Sequence, residues 1–115
     1  MGSKRQLQVG ELIKRHFGHV LMQEGSYIYG NEALVTITNV TCSPDLSLAK
    51  IYVSVYNVED KGSIVKLMEH SNHTLKQALS QRLKKHIRRI PRIEFYIDDT
   101  LDEMYKLNQM FDNLK

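Results

Sequence analysis

A single cysteine, Cys42, stands in the sequence. No disulfide can close within such a chain, and cysteine usage this sparse points to a reducing compartment, the cytoplasm. No apolar run approaches the roughly 20 residues that a membrane span requires. The leading residues Met1-Gly2-Ser3-Lys4-Arg5-Gln6 hold no apolar core of a secretory signal and no Ser or Thr at the sixth position for myristoylation. There is no glycine-rich phosphate loop, no Gly-x-Ser-x-Gly elbow and no His-Glu-x-x-His. Internal repeats, low-complexity stretches and interdomain linkers are also missing. These absences leave a small, non-membrane protein without a common catalytic signature.

The 115 residues are 42% hydrophobic and 25% charged, the balance of an ordinary globular chain and not of a disordered one. That length is expected to form one domain over 1–115, with 1–5 a flexible N-terminus. The net charge of +3 matters less than its distribution. Between Lys76 and Arg92 lie Lys76, Arg82, Lys84, Lys85, Arg88, Arg89 and Arg92 with no acid among them. From Glu94 onward the acids Glu94, Asp98, Asp99, Asp102, Glu103 and Asp112 face only Lys106 and Lys115. A basic block beside an acidic tail points to a polyanionic partner, although a solvated helix face has the same composition.

Hydropathy patterning gives an α-β-β-α-α-β-α order. Val9, Leu12, Ile13, His16, Phe17, Val20 and Leu21 recur at i, i+3, i+4 as one buried helical stripe, with Gly25 as the stop. Gly10 and Gly18 weaken that helix by roughly 1 kcal/mol each relative to alanine. Leu34 to Cys42 is rich in Val, Ile and Thr and reads as a strand. Ala49, Ile51, Val53 and Val55 alternate with Lys50, Tyr52, Ser54 and Tyr56 as the second arm of an antiparallel hairpin. A short helix starting near Ser63 turns Ile64, Leu67 and Met68 inward. Ser71-Asn72 suits the N-cap of the next helix, which buries Leu75, Ala78, Leu79, Leu83 and Ile87 and runs to Pro91. Gln77, Gln81, Arg82, Lys84, Lys85, Arg88 and Arg89 then share its opposite face. Ile93, Phe95 and Ile97 form a third strand, and Thr100 to Glu103 reads as a capping box opening a last helix. The class is α+β, with helices on one face of a three-stranded sheet.

Several constellations carry a chemical reading beside a plainer one. His16/His19 and His70/His73 have i, i+3 spacing, but two imidazoles without a third ligand make a poor metal site; His16 suits a core-edge position. Asp98-Asp99-Thr100-Leu101-Asp102 imitates the magnesium-binding aspartates of polyprenyl synthases. At a strand-to-helix junction, carboxylates simply complement the helix dipole. Cys42 has no paired base and reads as a small buried residue. The basic face is left. Its cations pair with phosphates, Arg bidentately. Lys14 and Arg15 on the first helix, with Lys4 and Arg5 before it, extend the surface if the two helices lie side by side. No aromatics interleave with it, so phosphates and the shape of folded RNA fit better than stacked single-strand bases.

The element order is that of a type II KH domain, and residues 35–54, VTITNVTCSPDLSLAKIYVS, resemble the strand-turn-strand core of the ribosome-binding factor A family. The basic helix, then Pro91 to Phe95 and Asp98-Asp99-Thr100-Leu101, are similar to that family's helix, proline, strand and closing segment. The resemblance implies a non-catalytic bacterial cytoplasmic factor, without cofactor or small-molecule substrate and monomeric when free. It implies binding to the immature small (30S) ribosomal subunit through its 16S rRNA, help in late assembly and rRNA processing, and a part in cold adaptation. Members bend their helix pair at an Ala-x-Gly kink in place of a Gly-x-x-Gly loop; here Ser71-Asn72-His73 stands at that place. The expected RNA-facing group is Arg82, Lys84, Lys85, Arg88 and Arg89, then Lys76, Lys14, Arg15, Lys4 and Arg5. The rivals are a general single-stranded-RNA KH module, which expects the missing Gly-x-x-Gly clamp, a small metal-dependent enzyme using the aspartates and histidines, and a protein-interaction module.

Overall fold

The computed structural model describes residues 3–98. It contains α1 (Lys4–Tyr29), β1 (Leu34–Cys42), β2 (Leu48–Tyr56), α2 (Lys61–His70), α3 (Asn72–Leu83) and β3 (Arg92–Ile97). The α-β-β-α-α-β order is therefore that expected; the closing helix and its capping box lie outside the described residues. Among those described, no helix is long and apolar enough to cross a membrane.

α1 starts earlier and ends later than its stripe indicates. Ser3 and Gln6 form a reciprocal capping box: the Gln6 N–H donates to Ser3 Oγ at 3.2 Å, and the Ser3 N–H to Gln6 Oε1 at 2.7 Å. Two of the orphan donors of the first turn are thereby satisfied. Gln6 Nε2 also donates to the Cys42 carbonyl at 2.8 Å, tying the helix start to the end of β1. Lys4 and Arg5 thus lie in the first turn of α1. Gly25 does not stop the helix; its bare Cα is where the Tyr29 ring lies back over the preceding turn. The stop is Gly30, at φ +84°, a conformation that a side chain would oppose.

The sheet has strand order β1-β2-β3. β1 pairs antiparallel with β2, Val35 opposite Val55 and Cys42 opposite Ala49, with a bulge between Ile37 and Asn39. β2 pairs parallel with β3, Ala49 opposite Ile93 and Ile51 opposite Phe95. The hairpin turn is organised by Asp45, whose Oδ1 accepts from the hydroxyls of Ser43 and Ser47 and from the Ser47 N–H. Ala49, Ile51, Val53 and Val55 from β2 and Ile93 and Phe95 from β3 are buried with Val9, Ile13, Phe17, Val20 and Leu21 of α1. Phe17 packs on Phe95 with ring centroids 5.7 Å apart. Full burial of such side chains stabilises by about 1.5–3 kcal/mol each before conformational entropy is subtracted.

α2 starts at Lys61, capped by Asp60, whose carboxylate accepts from the Ser63 N–H at 3.1 Å. Ile64 and Met68 are buried as expected, but Leu67 is 40% exposed, because α2 packs through a narrow stripe. The elbow between α2 and α3 is Ser71, at φ −98° and ψ 17°, so the bend needs no left-handed residue. Ser71 occupies the N-cap position of α3 without a side-chain cap hydrogen bond.

α3 ends at Leu83 and not at Pro91. The Leu83 carbonyl accepts both the His86 and Ile87 N–H groups, at 2.9 and 3.0 Å, and the chain then turns so that Ile87 and Pro91 are buried. A continued helix would stack Lys84 on Arg88 and Lys85 on Arg89, like-charge i, i+4 pairs each costing a few tenths of a kcal/mol. Ile90 must also leave helical space before Pro91.

Candidate nucleic-acid interface

The basic block is accordingly not one helix face. Lys84 and Lys85 are exposed on the turn that follows α3, and Arg88 and Arg89 are exposed in the bend leading to β3. Leaving the helix has a consequence for charge placement. Arg5, from the first turn of α1, lines one cavity of about 210 Å³ with Arg88 and Arg89, and Asp45 of the hairpin turn forms part of its wall. The Asp45 carboxyl is held down at about 2 by hydrogen bonds from the Ser47 and Ser43 hydroxyls and the Ser47 N–H, so it is an anion at neutral pH.

A second group forms where α1 passes α3 and its following turn. The His16 and His86 rings lie 5.4 Å apart, tilted by 37°. Arg82 from α3 and Arg15 and His19 from α1 are close enough for their charges to act on His16. Its pKa is lowered, first by burial and then by repulsion from Arg82, His86, Arg15 and His19. His16 Nδ1 and Arg82 Nε are buried without a hydrogen-bond partner.

The remaining sequence candidates are dispersed. Lys4 is exposed beside Arg5, and Lys76 is partly buried on α3. Lys14 lines the large groove between α1 and β1, about 610 Å³, together with Arg15. Of the kink residues, Ser71 makes the bend, His73 is exposed, and Asn72 faces β3: its Nδ2 donates to the Ile93 carbonyl. Cys42 is buried and its thiol pKa is pushed up by that burial. Among the described residues no group of three His, Cys, Asp or Glu could hold a metal ion.

Sequence reasoning missed two features. The imidazole pair joins residues seventy positions apart; the one available hint was a histidine inside an apolar stripe. Aromatics are also present, though on the outer side of the sheet: Tyr52 and Tyr96 stack with centroids 5.5 Å apart, and Lys50 Nζ lies 5.9 Å from the Tyr96 ring centre. Tyr96 Oη donates to Glu94 at 2.7 Å, which, with burial and the Glu94 charge, raises its pKa.

Known proteins share this architecture and sequence. A curated ribosome-binding factor A from Cytophaga hutchinsonii is 39% identical over 102 residues, 89% of this chain and 76% of that one. The crystal structure of ribosome-binding factor A from Thermus thermophilus superposes with a TM-score of 0.67 at 22% identity, covering 80% of this chain and 94% of the other. A homology model of the Thermus thermophilus factor, fitted into a cryo-EM map of its complex with the 30S subunit, superposes with a TM-score of 0.61 at 25% identity over 77% and 90% of the two chains. The family model described as Ribosome-binding factor A matches residues 5–111, and the chain belongs to that family.

Proposed function

We infer that this protein binds the small ribosomal subunit through its 16S rRNA and assists late subunit assembly and rRNA processing, with a part in adaptation to cold. It acts in the cytoplasm, as a single domain that is monomeric when free, and catalyses no reaction. The observation that carries the reading is the convergence of Arg5 with Arg88 and Arg89 about one cavity, beside the exposed Lys84 and Lys85, on a chain of this family. Guanidinium groups grip phosphate oxygens bidentately, and ammonium groups add point charge. Each phosphate neutralised releases counterions, which makes such binding sensitive to salt.

The test is co-sedimentation of the protein with isolated small subunits, large subunits and assembled ribosomes at low and moderate salt. Selective pelleting with free small subunits is expected. The Lys84→Glu, Lys85→Glu, Arg88→Glu triple variant should lose that binding while its stability stays within about 0.5 kcal/mol of the parent, as for most surface changes. Undiminished binding by the folded triple variant removes these residues from the interface. Equal, salt-erased binding to every particle would mean that the surface is merely adhesive.

A further inference from the structure

Basic side chains gather around His16 from α1, from α3 and from the turn that follows α3. α1 supplies Arg15 and His19, α3 supplies Arg82, and the turn after α3 supplies His86. Each acts on His16 in the same repulsive sense. The two buried side-chain polar atoms left without a partner among the described residues, His16 Nδ1 and Arg82 Nε, belong to this one cluster. Buried polar groups are ordinarily hydrogen-bonded, and an orphan calls for an explanation. Two in one cationic cluster share an explanation if an anion completes the site.

We propose that His16, His86 and Arg82, with Arg15 at the margin, form a proton-linked seat for a phosphate group of the bound RNA. The seat rests on the RNA-binding reading above and adds to it a specific group and a dependence on pH. Arg82 presents a fixed positive fork. The imidazoles contribute charge only when protonated, and an unperturbed histidine changes charge between about pH 5 and 8. In the free protein the crowding opposes protonation of His16; a bound phosphate reverses the sign of the local field. Binding therefore takes up protons, and affinity rises as pH falls. The Arg5–Arg88–Arg89 cavity is lined by no histidine.

The first arm of the test is imidazole NMR of the full chain, titrated between about pH 5.5 and 8, in chloride or in inorganic phosphate at equal ionic strength. Phosphate should move the His16 and His86 resonances and raise the His16 midpoint while leaving exposed His73 in place. This arm uses the unaltered protein, so no variant has to fold. The second arm measures affinity for isolated small subunits, expected to rise by about threefold from near pH 7.5 to near pH 6, with His86→Gln flattening the rise. Binding to small subunits without any phosphate-dependent movement at His16 or His86 overturns the seat and leaves the RNA reading intact. Movement with phosphate in a protein that binds no subunit at any pH supports the anion seat and overturns the RNA reading.

Discussion

Asn72 Nδ2 donates to the main-chain carbonyl of Ile93 at 2.9 Å, fastening the elbow between α2 and α3 to β3. Three residues earlier, Glu69 Oε1 accepts the Phe95 N–H at 2.8 Å. β3 is an edge strand, and an uncovered edge invites pairing with other chains. Two side chains from one helical bend therefore occupy the donor and acceptor that a further strand would use. The elbow between α2 and α3 thereby also covers part of the sheet edge.

Asn72→Ala should cost about 1 kcal/mol, the usual net value of a hydrogen bond, and somewhat more if the Ile93 carbonyl stays dry. Urea unfolding checks the number. Wild-type stability in this variant would mean that water replaces the amide without loss.

Two helix glycines should respond in opposite directions to alanine. A methyl at Gly10 would sit 3.0 Å from the Val40 carbonyl oxygen, a main-chain atom of the sheet, whereas Gly18 has open space. Gly10→Ala is expected to destabilise by about 1–3 kcal/mol through overpacking. Gly18→Ala should stabilise by up to about 1 kcal/mol through helix propensity. Thermal melts of the two variants decide it; the same sign for both would refute the packing difference.

The hairpin turn should loosen only in strong acid. Asp45 is held at about 2, below its ordinary 3.8. Its contribution is complete above the ordinary value and is lost as pH falls through the interval between the two. Amide NMR of Ser47 and Leu48 should change across that interval, and Asp45→Asn should remove the transition. A change centred near neutrality would exclude the carboxylate as its source.

His16 has the same sign for a different reason. Burial and neighbouring cations lower its pKa from 6.5, so folding favours the neutral imidazole. Stability is full above that value and declines as pH falls below it. Melting temperature in chloride buffer should drop on acidification, with His16→Asn reducing the drop. A parent and a variant with superimposable pH profiles would show that His16 is not the titrating group.

Local pattern was enough to place the elements themselves. The Val9 to Leu21 stripe, the β2 alternation and Ile93/Phe95 each repeat with a period that only one regular structure buries, and they are buried as read except that Leu12 and His16 are only partly covered and Ser54 of β2 is buried. Pro44-Asp45 between two Val/Ile-rich runs specifies a hairpin because its hydrogen bonds are local. Family membership was legible for the same reason, since the hairpin sequence is contiguous.

Element boundaries and the grouping of the basic side chains were decided only by tertiary contact. Gly25 looks like a stop until the Tyr29 ring is seen to lie over it. The basic run looks like a helix face until Ile87 and Pro91 are drawn into the core and the chain turns at Leu83. Arg5 meets Arg88 and Arg89, and His16 meets His86, only through packing between distant segments. Sequence periodicity records which side of an element avoids water; it carries no record of which distant residue shares that side. The amount of positive charge was thus fixed by composition, and its division between the Arg5–Arg88–Arg89 cavity and the Arg82–His16–His86 cluster by the fold.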